Sequence, residues 1–83
     1  MNTCKLTLNF IRFGTSSEEY EKVYPSVQDA LEDADDLAFS TVGFPLEDWE
    51  HVDFGEGNHL FYFYPDEEDR TYRYKLSTVE EEQ

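Results

Sequence analysis

Fourteen net negative charges on 83 residues constrain this chain more than any other feature. Twenty Asp and Glu stand against six Lys and Arg, so carboxylate repulsion works against every compact state and packing has to overcome it. The aromatic content can do that: seven Phe, six Tyr and one Trp make up 17% of the residues. Large rings bury about 150–250 Å² each, whereas an acidic chain poor in them would read as disordered. The length suits one domain, which buries roughly 60% of the surface its unfolded chain exposes. The sequence thus predicts a single domain over 1–76. Glu80, Glu81 and Glu82 mark 77–83 as an acidic, frayed tail.

Charge also bounds the partners. Nucleic acid and anionic membranes reward clustered Lys and Arg, so neither is expected to bind directly, and a basic protein is the favoured partner. The single Cys4 forms no intramolecular disulfide, and the framework of a small secreted domain is missing. The opening Met1-Asn2-Thr3-Cys4-Lys5 lacks a signal-peptide apolar run, and no stretch is long enough to cross a membrane. The expected compartment is the cytoplasm. Cys4 reads as a small buried or edge-strand residue rather than a reactive thiol.

Residues Cys4 to Phe13 alternate, with Leu6, Leu8 and Phe10 on one face, which predicts a strand. Gly14 to Glu18 reads as a turn, and Glu19 to Tyr24 resumes the alternation with Tyr20, Lys22 and Tyr24 in phase. Ser26, with Asp29 three residues on, opens the clearest helix, over Ser26 to Phe39. Val27, Ala30, Leu31, Ala34, Leu37 and Ala38 form its apolar stripe. Three extended pieces follow: Trp49 to Phe54, His59 to Tyr64 and Arg70 to Leu76. The first two are joined through Gly55-Glu56-Gly57-Asn58, a hairpin signal. The fold class is therefore α+β, in the order ββαβββ: an antiparallel sheet of four to five strands with one helix on one face. Pairing the last hairpins through their turns puts Val52, Phe54, Phe61 and Phe63 on one face. Trp49, Leu60, Tyr62, Tyr64, Tyr72 and Tyr74 then share the other. Phe is assigned inward and Tyr outward, although Arg73 and Lys75 then fall awkwardly on the Phe side.

Asp29, Glu32, Asp33 and Asp36 recur at i, i+3, i+4 and i+7, a carboxylate ridge roughly 10 Å long at 1.5 Å rise per residue. Like charges at this spacing cost a helix a few tenths of a kcal/mol each. No Lys or Arg occurs from Val23 to Asp69 to relieve them, so the ridge reads as a binding face rather than only a solvated one. Two further acidic groups join the candidate partner site: Glu47, Asp48, Glu50 and Asp53, and the run Asp66, Glu67, Glu68 and Asp69. Neither has the Asp-x-Asp-x-Asp-Gly spacing of a calcium loop, so no metal and no cofactor is expected. In the expected register His59 lies across from Phe54 rather than His51, and Cys4 alone gives zinc too few ligands. No nucleophile has a supporting motif, and with so many acids a close carboxylate pair discriminates nothing. No catalytic residue and no enzyme is read here. The aromatic part of the site is Trp49, Tyr62, Tyr64, Tyr72 and Tyr74, since Tyr and Trp dominate interface hot spots.

In size, composition and acidic helical ridge the chain resembles the small acidic nucleic-acid mimics and host-directed inhibitors of phages and mobile elements, anti-CRISPR proteins among them. These share no common motif, so no residue role is carried over. The resemblance implies a protein that, inside a bacterial host cell, occupies the DNA- or RNA-binding groove of a nuclease, glycosylase or repressor. Carboxylates would stand in for phosphates, and aromatic groups would supply affinity that survives salt. Two alternatives remain open: a self-associating accessory or structural protein using a Tyr-rich sheet face, as monomer or homodimer, and an immunity protein against a basic toxin. A small enzyme would need a pocket the sequence does not advertise.

Overall fold

Alternation at period two carries Cys4, Leu6 and Leu8 to one side of β1 (Asn2–Arg12), where all three are buried. The computed structural model describes residues 2–55, 57–66, 68 and 71–82, with Asn2 and Glu82 as backbone alone. Phe13 and Gly14, both at positive φ (52° and 80°), turn the chain into β2 (Thr15–Tyr24). Two successive left-handed residues make the tight hairpin turn whose twist matches its strands. The turn is thus shorter than the expected Gly14 to Glu18, and Thr15 already pairs with Arg12. A bulge opposite Leu8 and Asn9 keeps Tyr20 and Tyr24 on the same side as Leu6 and Leu8.

Ser26 caps α1 (Val27–Val42), its Oγ accepting the Asp29 backbone N–H at 3.1 Å. Gly43, at φ 80°, closes the other end by donating its N–H to the Phe39 carbonyl at 2.8 Å. Ala30, Ala34 and Ala38 are completely buried. Their small side chains let the helix lie close on β1, β2 and β5, while Val27, Leu31, Leu37 and Val42 close its flanks. Beyond the helix, a short 3-10 turn (Leu46–Asp48) folds back, its Leu46 N–H donating to Asp35 Oδ1 at 3.0 Å. This segment covers the same face of the sheet farther out: Leu46 and Trp49 are buried, and the Trp49 ring lies 5.4 Å from Phe63.

The remaining strands are β3 (Glu50–Gly55), β4 (Asn58–Phe63) and β5 (Tyr72–Glu82), in one antiparallel sheet of order β2-β1-β5-β4-β3. The architecture is α+β, ββαβββ, with one helix on one face. At Gly57 the β3–β4 turn meets the start of α1 so closely that a Cβ would fall 2.5 Å from Val27 Cγ2, and φ there is 81°. Only glycine fits that approach.

Two expectations are corrected. Residues 77–82 do not fray: they are the second half of β5, paired with β1 from Thr7↔Ser77 to Asn2↔Glu82. The glutamates looked solvated, but alternation continues through them, and Leu76 and Thr78 are buried at 0% and 1% exposure. Gln83, like Arg70 at the expected start of this strand, lies outside the described residues.

The face assignment also shifts. A bulge between Asp53 and Gly55 sets Asp53, not Phe54, opposite His59, and a one-residue slip sends every side chain to the other face. Phe61 and Phe63 stand inward as expected, but Val52 shares the outer face with Leu60 and Tyr62, and Phe54 shares a hollow there with Leu60 and Val79. Tyr72 and Tyr74 point inward beside Phe10, at 6.3 and 5.0 Å, and Trp49 is in the core. Arg73 and Lys75 therefore lie outward with Tyr62, which removes the awkwardness of the expected arrangement.

Thr78 is the one polar residue among the described buried positions, and its hydroxyl serves two backbone groups. It accepts the His59 N–H at 3.1 Å and donates to the Gly57 carbonyl at 3.0 Å. Thr78→Val, nearly isosteric, is expected to destabilise by about 1–3 kcal/mol by orphaning both groups. Thermal unfolding should show this as a melting point lower by roughly 4–8 °C per kcal/mol. Truncation after Leu76 should abolish cooperative unfolding rather than trim a tail.

Candidate functional site: the outer face of the helix

The buried alanines fix which side of α1 faces the sheet. At 100° per residue, Glu32 and Asp36 then point straight outward, with Asp29 beside them, and all three are exposed. Among the described residues none of these carboxylates has a side-chain partner. The last helical turn carries no basic residue either. Phe39 continues the same line past Asp36 and is 61% exposed. Sequence reasoning passed over it as the last residue of the helix. The available signal was its spacing, i+3 from Asp36 and i+7 from Glu32, on the polar side of the wheel.

Asp33 does not belong to this ridge. It is half-buried and accepts a hydrogen bond from the Tyr24 hydroxyl, which also shares one with the Tyr20 hydroxyl at 3.2 Å. Burial first, then the Asp33 carboxylate, hold the Tyr24 hydroxyl far above its ordinary value near 10. Asp33 thus joins α1 to β2, which corrects the expectation that all four ridge acids stand clear of the packing.

The other acidic candidates separate. Glu47 and Asp48 are exposed on the 3-10 turn, and Glu50 stands on the far face of the sheet beside Tyr62. Asp53 turns toward His59 and accepts the Gly55 N–H at 2.7 Å. Asp66 shapes its loop by accepting the Glu68 N–H at 3.0 Å, while Glu67 and Asp69 lie outside the described residues. Nor do the aromatic candidates form one surface. Trp49 is only 4% exposed, with an Nε1 unpaired among the described residues. Tyr72 and Tyr74 pack inward, Tyr64 is half-buried, and Tyr62 lies on the open face under the Arg73 guanidinium at 5.6 Å.

The hairpin bulge has a second consequence. It places His51 and His59 on one face, with Nε2 of the first 3.0 Å from Nδ1 of the second, contrary to the expected register. The His51 ring stacks on Phe61 at 4.5 Å, and Asp53 Oδ1 lies 3.8 Å from His59 Nδ1. One ring donates and the other accepts, so the pair stitches the edge strand to its neighbour. Among the described residues no group of three or more His, Cys, Asp or Glu is placed to hold a metal ion. Burial, then the charge of Glu80, push the Cys4 thiol above its ordinary value, which keeps it protonated and a poor nucleophile.

Comparison with protein-family models, with curated proteins and with solved structures finds no match to this chain. No helix among the described residues is long and apolar enough to cross a membrane.

The Tyr24–Asp33 pair gives a signed pH dependence. The folded chain holds the Tyr24 proton more tightly than the unfolded chain, so this contribution is complete below about pH 10 and is lost as pH rises further. Tyr24→Phe is expected to lower the melting point at neutral pH and to flatten its decline above about pH 10. Asp33→Ala should destabilise by about 1–3 kcal/mol, and Asp36→Asn, on the exposed ridge, by close to nothing.

Proposed function

We propose that this protein is a small acidic inhibitor that docks the outer face of α1 into the basic, nucleic-acid-gripping surface of another protein. The observation that carries this reading is the line Asp29, Glu32, Asp36 and exposed Phe39, set on one helix face with no cation among them. The fold does not need these charges: like charges four residues apart cost a helix a few tenths of a kcal/mol. Successive carboxylates one turn apart, at about 5–6 Å, offer a basic groove a rigid row of anions in place of phosphates.

The net charge of −14 steers the encounter. Phe39 then adds apolar contact that salt does not screen, as an exposed ring at the end of a charged ridge can. The protein acts by occupation, without catalysis or cofactor, in the cytoplasm, and binds neither nucleic acid nor membrane itself. An immunity protein blocking a basic toxin would use the same face.

The test captures proteins from a clarified bacterial lysate on the immobilised chain, at about 50 and 500 mM salt, with elution by duplex DNA. Nucleic-acid-binding proteins should be retained at low salt and released by the DNA. Asp29→Asn/Glu32→Gln/Asp36→Asn should fold normally and lose capture by about tenfold or more, along with most of its salt dependence. Equal loss from Glu47→Gln/Asp48→Asn/Glu50→Gln would mean that only net charge counts. A DNA fragment retarded by this protein alone would overturn the reading outright.

A further inference from the structure

The face of the sheet opposite α1 has the opposite character to the helix. Val23, Val52, Phe54 and Val79 remain 51, 42, 64 and 47% exposed there. Phe54, Leu60 and Val79 line an open hollow of about 340 Å³. We infer that this open face is a self-association surface, on which two copies of the chain stack sheet against sheet with their α1 helices outermost. This inference stands apart from the proposed inhibitor function and uses a different face.

Charge selects the second copy as the occupant. Three of the six cations, Lys5, Arg73 and Lys75, lie on this face. The Lys5 ammonium pairs with Glu21 at 3.0 Å, and Glu18, Glu50 and Glu81 are the other acids of this face. In a molecule of net charge −14 this is therefore a nearly balanced surface. A basic partner gains more at the bare carboxylates of the helix, and an anionic partner is repelled by the field of the whole protein. A second copy meets the same repulsion, but its like face brings apolar surface and charges of both signs that offset it.

Across the strands Glu18, Asn9, Lys75, Tyr62 and Glu50 fall in register. The row reads negative, neutral, positive, ring, negative. A twofold axis lying between two such faces can offset each Lys75 toward a glutamate of the other copy, the self-complementarity an isologous contact requires. Size agrees as well. Strands of six to eleven residues at about 4.8 Å spacing and 3.3 Å rise tile roughly 700 Å². A standard interface takes about 800 Å² from each partner. Sheets stacked in this way pack about 10 Å apart, as in a β-sandwich.

Salt gives the inference a distinctive sign. Two copies of charge −14 repel, and added salt screens that repulsion without weakening apolar contact. Dimerisation should tighten with salt, whereas capture of a basic partner should weaken. The experiment is sedimentation equilibrium of the intact chain from about 5 to 500 μM, at about 50 and 500 mM salt. The mass should rise from 9.8 kDa toward twice that value with concentration, and further at high salt. Val52→Glu/Val79→Glu changes two exposed positions, so the fold, checked by circular dichroism, is expected to persist while the dimer constant weakens about tenfold or more. Asp29→Asn/Glu32→Gln/Asp36→Asn should leave dimerisation intact or strengthen it, which keeps this result separate from the fate of the helix face. A monomer under every condition, a dimer loosened by salt, or one untouched by Val52→Glu/Val79→Glu would each overturn the inference.

Discussion

The unbroken ladder between β1 and β5, from Asn2↔Glu82 to Arg12↔Tyr72, sets the position of everything else. It lays Leu6 and Leu8 beside Leu76 and Thr78 at the centre of the sheet, under the buried alanines of α1. Because β4 pairs with β5, the facing of Phe61, Tyr62 and Phe63 is inherited from this central register. The bulky rings sit around the alanine-lined centre rather than within it. Phe61, Phe63, Tyr74 and Trp49 fill the space where the helix no longer covers the sheet. A small chain thereby encloses a core despite its charge.

That arrangement also separates the charges. Every charge in the helix layer is acidic, and two of them, Asp33 and Asp35, hold α1 to β2 and to the 3-10 turn. The described cations all lie on the sheet. Sorting leaves two unlike surfaces back to back, one anionic with an exposed ring and one nearly balanced and apolar.

Much of this was legible in the sequence because the local signals agreed. The Ser26 cap, the stripe through Ala30, Ala34 and Ala38, and the alternation from Cys4 onward all point the same way, and the helix and hairpins follow them. The rest depended on facts that no local pattern carries. Ser77 to Glu82 reads as solvated because charge masks alternation; pairing with β1 decides the matter, and each partner there is 70 to 80 positions away. The β3–β4 register turned on one bulge, which decided the facing of Val52 and brought His51 to His59. Among the ridge acids, Asp33 differs from Asp36 only in flanking β2, where Tyr24 waits for it. Helical spacing places both acids on the polar side and cannot tell a tether from a free charge.

The central ladder joins residues from the two extremes of the described chain, which makes folding a matter of timing. Hairpins β1–β2 and β3–β4 close locally and fast, but β1 gains its second neighbour only across a long loop, whose closure entropy comes before any reward. Until then the early β1–β2 hairpin presents a bare edge above Cys4, Leu6 and Leu8, a template for pairing with another chain. Like charge then acts between partly folded molecules rather than within one, holding such edges apart while the last strand finds its place.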